Sequence, residues 1–298
     1  MNEMIYRIDL DFIGCGNAGA AYGGFLNAWS FRDINPREWF EEFRQTALNT
    51  MGRRFLPVYR MADGEYRFLM GRKYNLSRKP LIKELLAVTA EKIRIKNPDK
   101  WQTSWGEAYD PKNTRQLRVN LLKDIRYLAQ KGFLACYIND NGLNAFTEYN
   151  KVLLDFFARN NIPFSAKNYV PFHFCPSLLV SPGWQDFLKK RVILVVTSLT
   201  PEKMSAINAT LEDMGVEKVR FLSISAKSSM CDYLDLKEVD EKFDICLVAA
   251  GIGAAHILNQ LEPLNTLSLD IGSLMNCFFN RNATQHGGVF RLPNWTHA

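Results

Sequence analysis

Arg191-Val-Ile-Leu-Val-Val-Thr197 is a continuous apolar run, mostly β-branched, that ends in Ser198 and meets Pro201 three residues later. An apolar run this short, without alternation, predicts a strand buried on both faces. Proline fixes φ near the helical value and lacks an N–H the first turn does not need, so Pro201–Met214 is predicted as the following helix. The pattern then recurs. Lys218–Ser223, Phe243–Ala249 and Thr266–Asp270 are predicted strands, with a helix over Gly253–Leu261 between the last two. Buried strands separated by helices require crossover connections, which predicts an α/β, Rossmann-like fold: a mostly parallel sheet with helices on both faces.

Toward the N-terminus the same alternation continues. Trp39, Phe40 and Phe43 recur on one face of a predicted helix over Pro36–Thr50, and Phe55–Met61 follows as a strand. Helices are expected over Pro80–Ile95, Thr114–Lys131 and Leu143–Asn160, with a strand over Gly132–Ile138. No repeat or linker divides the chain, so residues 1–35 are expected to be an irregular Gly-rich lead-in and residues 36–298 a single domain. Ligands of such sheets bind outside the carboxyl ends of the strands. The segments after Met61, Thr197, Ala249 and Asp270 are therefore where chemistry is sought.

Of the 298 residues 47% are hydrophobic and 23% charged, enough to bury a large core. The net charge of +6 suits a phosphate-rich ligand. Its basic runs, Arg53-Arg54 and Lys189-Lys190-Arg191, are short and lack a nucleic-acid-binding motif, so no nucleic-acid partner is expected. Cys15, Cys136, Cys175, Cys231, Cys246 and Cys277 are scattered, without C-x-x-C or zinc spacing, and read as reduced thiols of a cytoplasmic protein. Phe12–Phe31 carries no charge, but its five glycines and the preceding Asp9 and Asp11 argue against a signal peptide or membrane span.

Val58-Tyr-Arg-Met-Ala-Asp63-Gly64-Glu65 takes a strand into a helix through Asp-Gly-Glu. Hard divalent cations take one or two carboxylates from protein and complete their shell with phosphate and water, and the central glycine lets a ligand approach the backbone. The alternative is structural, with Asp63 capping the helix and Glu65 complementing its dipole.

This segment resembles the Arg-Phe-Gly-Asp-Gly-Glu signature of the GT-D glycosyltransferase superfamily. Phe243–Ala254 with Leu267-Ser-Leu-Asp270-Ile-Gly272 is similar to the family's C-terminal strand, glycine turn, helix and Asp-Ile-Gly strand end, and Trp184–Ser198 is a weaker match. The resemblance implies a nucleotide-sugar donor, a UDP-sugar among the candidates, a glycan or glycoconjugate acceptor, and Mn²⁺ or Mg²⁺ held by Asp63 and Glu65. It makes Asp270, which ends a buried strand, the first candidate for a catalytic base or orienting group, and Arg60 a second cation for the phosphates, a structural ion pair being its alternative. Donor binding is further sought at Gly64, at the strand-end hydroxyls of Thr197 and Ser198 and at the backbone N–H groups of Gly251 and Gly253, with a turn or cap role as the alternative for these last four. Two departures stand out: Met61-Ala62 where the family commonly has Phe-Gly, and Ser273 where it often has His. His256 reads as a packed helix histidine, and His173, in the aromatic run Tyr169–Phe174, as either core or an acceptor contact.

Two other functions compete. Gly14-Cys-Gly16-Asn-Ala-Gly19 after Ile8–Ile13 matches G-x-G-x-x-G, the fingerprint of an NAD(P)-binding oxidoreductase, although Asp33 leads into a helix instead of ending a second strand. A non-catalytic nucleotide-sugar-binding domain is the other, since a fold does not fix an activity.

Overall fold

The computed structural model describes residues 5–13, 27–70, 89, 101–102, 108–109, 111–138, 147–285 and 289–293. The chain opens with β1 (Tyr6–Asp9) and β2 (Asn27–Ser30), then α1 (Pro36–Thr50), β3 (Leu56–Arg60) and α2 (Asp63–Met70). Two short strands, β4 (Trp101–Gln102) and β5 (Ala108–Tyr109), precede α3 (Pro111–Lys131), β6 (Phe133–Cys136), α4 (Thr147–Arg159) and β7 (Tyr169–Pro171). Then come α5 (Phe174–Val180), α6 (Gln185–Leu188), β8 (Val192–Thr197), α7 (Pro201–Asp213) and β9 (Lys218–Ser223). The last elements are β10 (Ile245–Ala249), α8 (Ala254–Gln260), β11 (Leu267–Asp270) and α9 (Met275–Phe279).

Seven strands form one sheet in the order β7-β6-β3-β11-β10-β8-β9, and every pairing in it is parallel. Successive residues of a strand point to opposite faces. Phe133, the register partner of Val58, packs edge-on against Phe43 of α1 at 5.3 Å. Tyr59, the next residue of β3, points to the opposite face, and α3 packs on β3 as well. Helices thus cover both faces, as the sequence predicts, and β3, β8 and β10 are almost wholly buried. The outer edge at β9 is different. Lys218 and Arg220 are exposed there and both pair with Glu241.

Local chemistry sets the boundaries. Asn35 accepts the N–H of Arg37 through its side chain and Pro36 opens the helix, so α1 starts where expected. Between α3 and β6, a Cβ on Gly132 would lie 2.0 Å from the carbonyl oxygen of Pro57, so only glycine lets this turn lie against β3. The helix expected over Pro80–Ile95 lies, but for Thr89, outside the described residues.

The lead-in is not wholly irregular. β1 and β2 pair antiparallel, Tyr6 opposite Ser30, in a sheet of their own. Gly14, Gly16 and Gly19 lie outside the described residues. The strand before them nevertheless takes no place in the parallel sheet, whereas the dinucleotide fingerprint needs a parallel βαβ unit. This pairing removes the structural support for the oxidoreductase alternative.

Candidate functional site

Parallel register levels the strand ends. Arg60 is partnered with Ala135 and Ala135 with Val170, while Ala249 is partnered with Thr197 and Thr197 with Ser223. Val248 is partnered with Asp270, one residue below that row. Arg60, Asp270, Ala249 and Thr197 therefore stand together at the carboxyl edge, on four adjacent strands spanning roughly 14 Å. Within the row, β8 passes rightward to β9 and β10 leftward to β11, which makes the β8/β10 gap a topological switch point, the usual ligand crevice of such sheets.

At the β3/β11 pole, the backbone N–H of Arg60 donates to Asp270 Oδ2 at 3.2 Å and its Nη2 donates to the Ile271 carbonyl at 2.7 Å. The guanidinium lies 4.7 Å from the Phe172 ring centroid, within cation–π range. Gly272, at φ +46°, leaves room for it, since a Cβ there would sit 2.4 Å from Arg60 Nη2. Arg60 is only 5% exposed, and its Nε and Nη1 are buried with no hydrogen-bond partner among the described residues. A buried cation with two unpaired donors calls for an anionic partner. Burial pushes the Asp270 carboxyl up to about 6, against the pull of the Arg60 charge and of the N–H groups of Arg60 and Gly272. Cys175 donates its Sγ hydrogen to the Asp270 carbonyl at 3.3 Å, and burial pushes that thiol up to about 12, leaving it inert.

Around Arg60 the ends of β6 and β7 add rings. Tyr137 stacks on Phe172 at 4.5 Å and meets His173 edge-on at 5.4 Å, with its hydroxyl 3.5 Å from His173 Nε2. His173 is fully buried, which favours its core reading over an acceptor contact. Phe172, Tyr137 and Cys175 are site residues that strand-end reasoning missed. The aromatic run Tyr169–Phe174 was the available signal, but it has no period that separates a three-residue strand from core packing.

Asp63 is the first residue of α2 and Gly64 the second, directly beyond the Arg60 strand end. Glu65, 6% exposed, accepts the N–H of Ala62 on Oε2 at 3.0 Å, the return half of a capping box. This bond caps the backbone, a structural contact other than the dipole complement expected of Glu65. Among the described residues no group of three or more His, Cys, Asp or Glu side chains gathers to hold a metal.

At the β8/β10 pole, Thr197 is buried and its Oγ1 accepts the N–H of Leu199 at 3.4 Å, while Ser198 is half-buried beside it. Gly251, exposed at φ +54°, starts the turn after β10. Gly253 is used differently from the expectation that it faces the donor. Its N–H bonds the Ala250 carbonyl at 3.1 Å, and a Cβ on it would lie 2.4 Å from Ser229 Oγ, so its open face is filled. Ser273 Oγ accepts from Gln285 Nε2 at 2.6 Å. A cavity of about 420 Å³ lined by Trp39, Phe43, Phe133, Lys167 and Tyr169 lies at the amino ends of β6 and β7, away from all these groups. Size favours it as a ligand site, but the unpaired charge and the switch point lie at the carboxyl edge, and chemistry decides.

Residues 145–278 match the family model described as a GT-D fold-like domain. That span contains Thr197, Ser198, Gly251, Gly253 and Asp270; Arg60, Asp63 and Glu65 precede it. Two solved structures are similar to the chain. One, described as the highly conserved domain of unknown function 1792 with a distinct glycosyltransferase fold, is 15% identical over 77% of this chain and 82% of its own, with a TM-score of 0.42. The other, a selenomethionine-substituted structure of domain of unknown function 1792, is 14% identical over 85% of this chain and 94% of its own, also with a TM-score of 0.42. The search of curated proteins found no match. The seven-stranded parallel sheet flanked by helices agrees with a GT-D-like fold.

Proposed function

We propose that this chain, with its GT-D-like domain over residues 145–278, is a cytoplasmic metal-dependent glycosyltransferase that moves a sugar from a nucleotide-sugar donor to a glycan or glycoconjugate acceptor. The observation that carries this reading is the Arg60 guanidinium, buried at the carboxyl edge with Nε and Nη1 unpaired beside Asp270. Breaking a sugar–phosphate bond leaves growing negative charge on a diphosphate. The two partnerless donors of Arg60 would meet that charge, and Ile271 and Phe172 hold the guanidinium in place.

Asp63 and Glu65 would supply hard oxygen to a cation that draws most of its ligands from diphosphate and water. When bound there, Mn²⁺ or Mg²⁺ would neutralise the departing diphosphate. Asp270, ionised above about pH 6, would take the acceptor hydroxyl proton or orient that hydroxyl. On the donor side, Gly64, Thr197, Ser198 and Gly251 frame the crevice, and Gly253 contributes by letting Ser229 pack beneath the turn.

The test is release of nucleoside diphosphate from a panel of nucleotide-sugars, UDP-sugars included, with and without Mn²⁺. Arg60→Met is expected to lower turnover on the order of a hundredfold or more. Asp63→Asn and Glu65→Gln are expected to abolish the metal-dependent turnover while leaving the fold nearly intact, at about 1 kcal/mol or less. Metal-independent donor binding and full turnover in both carboxamide variants would return these residues to capping. Donor binding without turnover in wild type would instead identify a non-catalytic binding domain.

A further inference from the structure

Between β9 and β10 the chain makes a long connection, residues 224–244, that packs against the turn after β10. Its 3₁₀ turn Ser229–Cys231 puts Ser229 against the bare Cα of Gly253. The connection is fastened to α8: the Asp232 carbonyl accepts from Gln260 Nε2 at 2.9 Å and lies 2.9 Å from His256 Nε2, and the Leu234 N–H donates to Gln260 Oε1 at 2.8 Å. Tyr233, 84% exposed, leans edge-on against the His256 ring. On its other side His256 Nδ1 lies 3.6 Å from Asp124 Oδ2 of α3, an ion-pair distance, and Asp124 Oδ1 accepts from Asn259 Nδ2 at 2.9 Å. The described titratable groups that face the imidazole are Asp124 from α3 and Asp232 and Tyr233 from the connection.

A carbonyl and a carboxylate can only accept, so both ring nitrogens of His256 face acceptors. Only the doubly protonated imidazolium can satisfy both. A neutral ring keeps one contact and turns a lone pair toward the other acceptor. We propose that His256 is a proton-dependent latch that, as imidazolium, ties the 224–235 segment to α8 and α3 and so holds Ser229 under the Gly251–Gly253 turn. The consequence for donor access rests on the donor-site reading above; the latch itself does not. The hydrogen bond and charge of Asp124 raise the His256 pKa above the ordinary 6.5, outweighing its partial burial. The group is therefore protonated more readily in the folded than in the unfolded chain. The latch is fully engaged below pH 6.5 and is lost as pH rises through the folded-state pKa.

The experiment is amide hydrogen exchange of the intact protein across pH 5.5 to 9, with the intrinsic pH dependence of exchange divided out, alongside NMR titration of the His256 ring. Protection of residues 225–235 is expected to fall at the midpoint of the His256 titration while that of β8 stays constant. Asp124→Asn is expected to move both midpoints to lower pH together, and His256→Gln to remove the step. A step that persists in His256→Gln, or flat protection in wild type across the ring titration, would overturn the latch. No nucleotide enters this measurement, so a failed donor screen leaves its result standing; should His256→Gln misfold, the shared midpoint shift in Asp124→Asn still decides.

Discussion

Asp270 pairs an acidic group with a site where ionisation costs free energy. Its carboxyl is raised from 3.8 to about 6 chiefly by burial, so the folded chain holds this proton more tightly than the unfolded chain does. The contribution favours folding below about pH 4 and is lost as pH rises to about 6, a cost on the order of 3 kcal/mol by linkage. Urea unfolding of wild type against Asp270→Asn from pH 4 to 7 is expected to show this decline only in wild type, because the amide oxygen still accepts the Arg60 N–H. Turnover, if Asp270 acts ionised, is expected to rise through the same window and to flatten in the variant. At this scale, strand-end reasoning placed Arg60 and Asp270 at the carboxyl edge, where the two residues meet. It did not identify Ser229 or Phe172. Each owes its place to a neighbour distant in the chain, Gly253 or Arg60, and no local pattern encodes such a pairing.

Elements were legible in proportion to the regularity of their burial. β9 runs over Lys218–Ser223 as predicted, and β8 begins one residue inside the predicted run. β7 escaped notice, being three residues long and leading within a few residues into α5, which is buried on every side and so shows no amphipathic stripe. The β1/β2 pairing escaped because four-residue strands flanking a Gly-rich stretch give too few alternations to count. The α3–β6 turn offers a test of element packing. Gly132→Ala would thrust a methyl against the Pro57 carbonyl, backbone that cannot swing aside, and is expected to destabilise by about 1–3 kcal/mol in denaturant titration, with the β3/β6 pairing displaced.

For the whole molecule, one large buried cluster among the described residues runs from Ile8 in the first strand to Leu292 with both halves of the sheet contributing, and Tyr137 and Phe172 form a second, small one. The fold class was legible because a parallel sheet needs continuous apolar strands separated by helices; the strand order was not, since periodicity does not say which strand lies beside which. Calorimetric unfolding is expected to give one transition, because the core is not divisible between the β7-β6-β3 and β11-β10-β8-β9 halves; two resolved transitions would contradict this.

The seam between those halves is β3 against β11, and Arg60 and Asp270 meet across it from 210 residues apart. On the ribosome, β3 is made before its central partner β11, whose Asp270 follows Arg60 by 210 residues, and must wait for it. Until then β3 and β10 each present a bare ladder of N–H and C=O groups, the kind of edge that recruits other chains. The bond that joins the halves is also the bond that brings Asp270 to Arg60. A nascent chain therefore acquires the chemistry of its proposed site only in the act of finishing its sheet, and an incompletely folded copy carries neither.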